Sequence, residues 1–183
     1  MTEGGTMTPG LYQIAYVVPD LNAAMTSWTS RAKAGPWFVM RDFVGIDQKI
    51  NGVSDTSATT IALGQSGSVQ IELIEVGPDS PEFYQEHVKQ HGFGMHHIGL
   101  LTRDFDLEMS DRLLKGERAI FTARTPSGGR VAHMLDPSAS PEIVELIEID
   151  DGLNAFFGAV RDASVGWKGD HPWRDVPGSE GQQ

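Results

Sequence analysis

Four polar residues stand in segments whose alternation otherwise reads as β-strand: Gln13, Glu72, His97 and Glu145. Glu145 makes the strongest case. Its same-face neighbours at period two are Ile143 and Ile147, and the other face carries Val144 and Leu146. Both faces are apolar, so the carboxylate is expected to be buried. A buried carboxylate is costly unless it meets a partner, a proton or a metal. Glu72 shares its face with Gln70 and Ile74, a more polar surface on which a solvated glutamate is also at home. His97 follows His96, which sends one imidazole to each face, and a lone strand histidine is more often a hydrogen-bonded core residue than a ligand. Gln13 alone signals nothing. As a set they differ: one imidazole, two carboxylates and an amide oxygen suit a divalent, borderline-hard cation, with positions left for water or substrate.

An internal repeat makes them a set. Gln13 opens QIAYVVPD-LNAAM and His97 opens HIGLLTRD-FDLEM, each with an Asp seven residues on where a helix N-cap belongs. Ile71-Glu72-Leu73-Ile74-Glu75 matches Val144-Glu145-Leu146-Ile147-Glu148. Gln13 and His97 are 84 positions apart, Glu72 and Glu145 only 73, so the first copy carries 11 extra residues, assigned to the stretch from Arg41 to Gly64. Two matched pairs in one order indicate tandem duplication. The pairs then become equivalent sites, and two modules related by a pseudo-twofold bring all four residues to one point.

The elements that must position them follow from periodicity and breakers. In the first copy a strand is predicted over 11–18 and a helix from Asp20 to Ala32, with Leu21, Met25, Trp28 and Ala32 on one stripe and Gly35-Pro36 beyond it. Strands are expected at 37–41, 59–63 and 69–75, then a short helix from Pro81, at its first position, to Gln90. The second copy reads strand 96–102, helix 105–115, and strands 118–123, 129–135 and 143–149. Leu153, Phe156, Phe157, Val160 and Trp167 mark a C-terminal amphipathic helix capped at Asp150 or Asp151, too apolar to face water and expected to pack on the body or across a homodimer interface. This gives a flexible N-terminus over 1–10, modules over 11–92 and 93–150, and a helix and frayed tail over 151–183, in a single structural domain.

Other residues carry weaker signals. His133, in a strand just before Asp136-Pro137, is read as a cavity-lining hydrogen-bond donor or second acid/base, with a structural role equally open. Trp37 and Phe38 after Gly35-Pro36 are a candidate aromatic wall for substrate, although core packing is the better explanation of them. His87 and His91 have the i, i+4 spacing of metal ligands on a helix, with no third ligand evident nearby. Ser127-Gly128-Gly129-Arg130 precedes a strand, which makes it a hairpin turn and not a phosphate loop.

Composition narrows the functional classes. The 183 residues hold 14 basic and 25 acidic side chains, a net charge of −11, which leaves no basic surface for nucleic acid or anionic membrane. With no cysteine, disulfides, thiolate metal sites and cysteine nucleophiles all drop out. Hydrophobic content of 39% argues for a folded core, and neither a membrane-length apolar run nor a secretory leader is visible, so a cytoplasmic protein is the expectation.

The QIAYVVPDLNAAM segment, the HHIGLLTRDFD segment and the paired ELIE strands together resemble the vicinal oxygen chelate superfamily, which includes glyoxalase I, methylmalonyl-CoA epimerase, extradiol dioxygenases and bleomycin-resistance proteins. The resemblance spans residues 11–149. It implies an α+β fold of two tandem βαβββ modules forming an open, cupped mixed sheet around the site. It also implies that Gln13, Glu72, His97 and Glu145 are the metal-ligand places for Zn, Ni, Co or Mn. Gln13 stands where dioxygenases need a histidine, which disfavours oxygen chemistry. The Gln, Glu, His, Glu order is like that of some glyoxalase I enzymes, while epimerases usually show His in the place of Gln13. The implied function is metal-dependent lyase, isomerase or epimerase chemistry on a small oxygenated substrate, through a metal-stabilised enolate, with Glu145 as preferred base and Glu72 as the alternative. The competing reading is a small-molecule-sequestering protein on the same fold.

Overall fold

The computed structural model describes residues 7–176, so the expectations for the extreme N-terminus and the end of the tail lie outside the described residues. In chain order the first elements are β1 (Gly10–Val18), α1 (Leu21–Ala32), β2 (Trp37–Phe43), β3 (Ile46–Ile50), β4 (Val53–Ser54), β5 (Thr59–Ser66), β6 (Val69–Glu75) and α2 (Glu82–His91). There follow β7 (Gly94–Thr102), α3 (Phe105–Leu114), β8 (Arg118–Arg124), β9 (Arg130–Leu135), β10 (Ile143–Glu148), α4 (Asp151–Ser164) and β11 (Trp173–Asp175). The fold is mixed α+β, in two compact units. One holds Gln13–Val44, Ser57–His96 and 159–176; the other holds 7–12, Gly45–Thr56 and His97–Gly158.

In the first unit the strands run β11-β2-β5-β6-β1. β1 and β6 are parallel, β6–β5 and β5–β2 antiparallel, and β11 adds to β2 in parallel. In the second, the order is β7-β10-β9-β8-β3-β4, with β7 and β10 parallel and the remaining pairs antiparallel. Without β11 and the β3–β4 hairpin, each unit is a βαβββ module with the same strand order and senses. The extra residues of the first copy are that hairpin, and it pairs with β8 of the second unit. Neither the hairpin nor β11 was expected. Ile46–Ile50 is mostly charged or exposed, with Asp47 and Asn51 at positive φ, and β11 is three residues long, so neither shows a strand-like alternation.

Helix placement follows from local chemistry. Asp20, extended at the N-cap, accepts from the Ala23 amide at 2.8 Å, and Glu75 Oε1 accepts from the Leu21 amide at 3.0 Å. Lys33 in the left-handed region closes the other end. Asp104 differs from its repeat partner. It occupies the N-cap of α3 but its side chain makes no cap bond, and its own amide is held by Thr102 Oγ1 at 3.1 Å. Pro81 sits at the N-cap of α2, one place before the first helical position expected for it.

Each helix packs on one face of its sheet. Leu21 and Met25 of α1 join Val18, Trp37, Val39, Ala62, Ile71 and Leu73 in one cluster, while Phe105 of α3 joins Ala132, Met134 and Leu146 in the other. By strand alternation Gln70 and Glu72, and likewise His133 and Glu145, must occupy the opposite faces. α4 is capped by Asp150, whose Oδ1 accepts from Leu153 at 2.8 Å, and buries Leu153, Phe157 and Val160. Phe157 stacks on Tyr12 at 5.5 Å between centroids. The apolar stripe is thus covered by the chain itself, although the helix ends before Trp167. That indole lies against Gly35, at φ +133°, where an added Cβ would come within 2.7 Å of the ring. Among the described residues no helix is long and apolar enough to cross a membrane.

Trp37 is fully buried, and its ring lies flat against Gly64, where a Cβ would approach to 2.7 Å. Gly64→Ala should therefore destabilise the first unit by about 1–3 kcal/mol through overpacking, read as a lower urea midpoint at unchanged slope.

Candidate metal centre

The second unit gathers His97 from β7, His133 from β9 and Glu145 from β10. Glu145 is the cross-strand partner of His133 and pairs with Gly99 across the parallel ladder, two residues beyond His97 on β7. His97 Nε2 stands 3.4 Å from Glu145 Oε2 and His133 Nε2 3.4 Å from Oε1, so each carboxylate oxygen faces its own imidazole. The imidazoles are 1% and 2% exposed, the carboxylate 12%, and the two rings lie 4.6 Å apart. Burial by itself pushes the Glu145 carboxyl up. Hydrogen bonds from His133 and His97, with their charge, outweigh that effect and hold it well below the usual carboxylate range.

In the first unit the register repeats. Glu72 pairs with Ala15, two residues beyond Gln13, as Glu145 pairs with Gly99, two beyond His97. The pairing ladders thus make Gln13 equivalent to His97 and Glu72 to Glu145, the assignment the sequence repeat requires. Glu72 and Gln13 are both buried, at 8% and 2% exposure. Gln13 Nε2 donates to Gln70 Oε1 at 2.8 Å, while Gln13 Oε1 is buried with no hydrogen-bond partner among the described residues. A buried amide oxygen of this kind is available as a donor atom to a ligand.

The units differ in one informative place. Glu145 faces His133, whereas Glu72 pairs across the antiparallel ladder with Leu63. Sequence reasoning named His133 but not this partnership, which needs the β9–β10 register. Trp37 belongs to the α1 core, as its core-packing reading expects, its Nε1 donating to Thr29 Oγ1 at 2.9 Å, while the half-buried Phe38 ring has the Arg174 guanidinium 5.4 Å from its centroid. The β3–β4 hairpin helps line a partly basic cavity of about 340 Å³, where Lys49, Arg124 and Arg130 stand with Asp47, Thr122 and Phe105.

Comparison with known proteins agrees with this geometry. A family model described as the glyoxalase/bleomycin resistance protein/dioxygenase superfamily matches residues 12–135. Curated proteins give no match. Among solved structures, methylmalonyl-CoA epimerase from Mycobacterium tuberculosis is similar at 19% identity and TM-score 0.56, over 80% of this chain and 91% of that one. A hypothetical protein from Bacillus halodurans C-125 is similar at 19% identity and TM-score 0.58, over 79% and 97%. A Streptomyces coelicolor methylmalonyl-CoA epimerase variant, in complex with 2-nitronate-propionyl-CoA, is similar at 19% and 0.54, over 78% and 98%. At these identities the likeness is one of fold.

The lowered Glu145 value has a direct consequence for stability. A carboxyl depressed in the folded state stabilises fully above its unfolded value, 4.5, and that contribution is lost as pH falls from there toward the folded value. In chelator-treated protein, urea unfolding at pH 7 and pH 3 should show a larger acid loss for the wild type than for Glu145→Gln. Equal losses would mean the imidazoles do not hold the carboxylate.

Proposed function

Because the chain belongs to the glyoxalase/bleomycin resistance protein/dioxygenase superfamily, we propose that it is a metal-dependent isomerase of epimerase or glyoxalase type, abstracting a proton next to a carbonyl of a small acyl substrate. The observation that carries this reading is the buried cluster of His97, His133 and Glu145 at the repeat position of Gln13 and Glu72. In this reading Gln13, Glu72, His97 and Glu145 hold one divalent ion, which when bound supplies Lewis-acid polarisation of neighbouring substrate oxygens.

The chain's own residues divide the remaining work. Gln70 fixes the Gln13 amide so that its oxygen is the atom presented. His133 keeps Glu145 anionic, which suits a ligand but lowers its appetite for a substrate proton. Glu72 is buried and stands opposite Leu63 on the antiparallel ladder, where Glu145 stands opposite His133, so Glu72 is taken as the first base to test, reversing the order expected from sequence. With Glu145 on the equivalent strand of the other unit, two carboxylates are available to exchange a proton across a planar intermediate. Methylmalonyl-CoA, bound in one similar epimerase structure, is the first substrate to try.

The test is deuterium incorporation from D₂O into methylmalonyl-CoA and related acyl thioesters, alongside metal content after loading and dialysis. The wild type should hold a stoichiometric divalent ion and exchange the α-proton. Glu72→Gln should slow exchange by at least about 10²-fold with metal largely retained, whereas His97→Ala should lose one equivalent of metal together with exchange. Full exchange in Glu72→Gln returns the role of base to Glu145. A chain that binds acyl compounds without metal or exchange is the sequestering protein instead.

A further inference from the structure

The sequence shows His87 and His91 one turn apart on α2, and the fold brings a third histidine to them. His96, at the start of β7, lies with its ring centroid 4.6 Å from that of His87, and His87 lies 4.8 Å from His91. His96 is 4% exposed and is also packed by Tyr84 at 4.9 Å and Phe83 at 6.0 Å, both from the buried side of α2. Exposure rises along the row, from His96 through half-buried His87 to exposed His91. We propose that His87, His91 and His96 form a second metal site, for Zn²⁺ or another borderline divalent ion that favours imidazole, separate in its residues from the four-ligand centre.

The chemistry matches the geometry. Imidazoles at i and i+4 on one helix face supply two ligands to one ion, and a third from an adjacent strand leaves the fourth tetrahedral position to water. Zn–N bonds of about 2.0–2.1 Å require the three ligand nitrogens to converge, and His87 stands between the other two, 4.6 Å from His96 and 4.8 Å from His91 between ring centroids. The three edges must turn toward one point. His91, exposed on the last residue of α2, has the room to make that turn, while His96 and its aromatic walls provide the fixed side. A carboxylate is not required, and the all-nitrogen set distinguishes this site from the oxygen-rich one, which Mn²⁺ also suits.

The experiment counts equivalents of Zn²⁺ bound by the full chain, by equilibrium dialysis, with Co²⁺ absorption reporting tetrahedral nitrogen ligation. His87→Ala/His91→Ala should bind one equivalent fewer than the wild type and lose the Co²⁺ signature, with circular dichroism unchanged because alanine favours helix. The single exposed change His91→Ala should weaken that equivalent by at least about 10-fold, the low end of what losing a mere supporting partner of a ligand costs. His97→Ala should keep it. A wild type with one equivalent that is lost only in the His87/His91 variants would uphold this site while removing the four-ligand centre. Wild-type stoichiometry and affinity retained in His87→Ala/His91→Ala would overturn it.

Discussion

Everything at the candidate centre depends on the register of two parallel strand pairs, β1 with β6 and β7 with β10. Side chains in a strand alternate with period two, so a slip of one residue would send each glutamate to the helix-covered face and bring Ile71 or Val144 into its place. The register is pinned from the other side of the sheet. Ile71 and Leu73 pack under Leu21 and Met25 of α1, and Leu146 packs with Phe105 of α3. Opposite each glutamate the parallel partner is small, Ala15 or Gly99, which leaves volume for a carboxylate beside the backbone. The apolar core therefore aims the polar residues, although none of them belongs to it.

The second glutamate of each ELIE segment completes this arrangement. Glu75 accepts from the Leu21 amide and fixes the start of α1 against β6. Its repeat partner Glu148 takes a two-pronged bond from Arg130, with both oxygens at 2.7 Å, and the same guanidinium lies 4.6 Å above the Phe105 ring at the start of α3. Both copies thus use this glutamate to tie the helix start to the last strand, by different bonds. The second member of the motif anchors the helix that sets the register.

What sequence reasoning found and missed divides along the same physical line. β6, α1 with its Asp20 cap, and the equivalence of Gln13 with His97 were readable because each rests on local periodicity or on a matched pair at fixed spacing. β3, β4 and β11 were missed because their pairing is decided by distant strands, β8 and β2, and not by their own pattern. The depth at which Trp37 is buried was hidden for a related reason: an aromatic after Gly-Pro looks the same in sequence whether a glycine on the neighbouring strand, here Gly64, opens a slot for it or not. The His133–Glu145 contact and the His87–His96 contact both join residues that only long-range packing brings together.

The duplication supplies an internal control on which polar residues the fold itself requires. At the place of Gln70 the second copy carries Ile143, and at the place of His133 the first copy carries Leu63, by the two ladders counted from Glu72 and Glu145. Both apolar versions are accommodated at buried positions of the same module. The fold therefore does not need Gln70 or His133 in order to close. Burying a polar group with an incomplete set of hydrogen bonds costs about 1–3 kcal/mol, and Gln13 Oε1 is left in that condition among the described residues. Residues that weaken a module, at places where the same chain shows an apolar solution, are best explained by what they hold. In one copy Gln70 holds an amide, and in the other His133 holds a carboxylate.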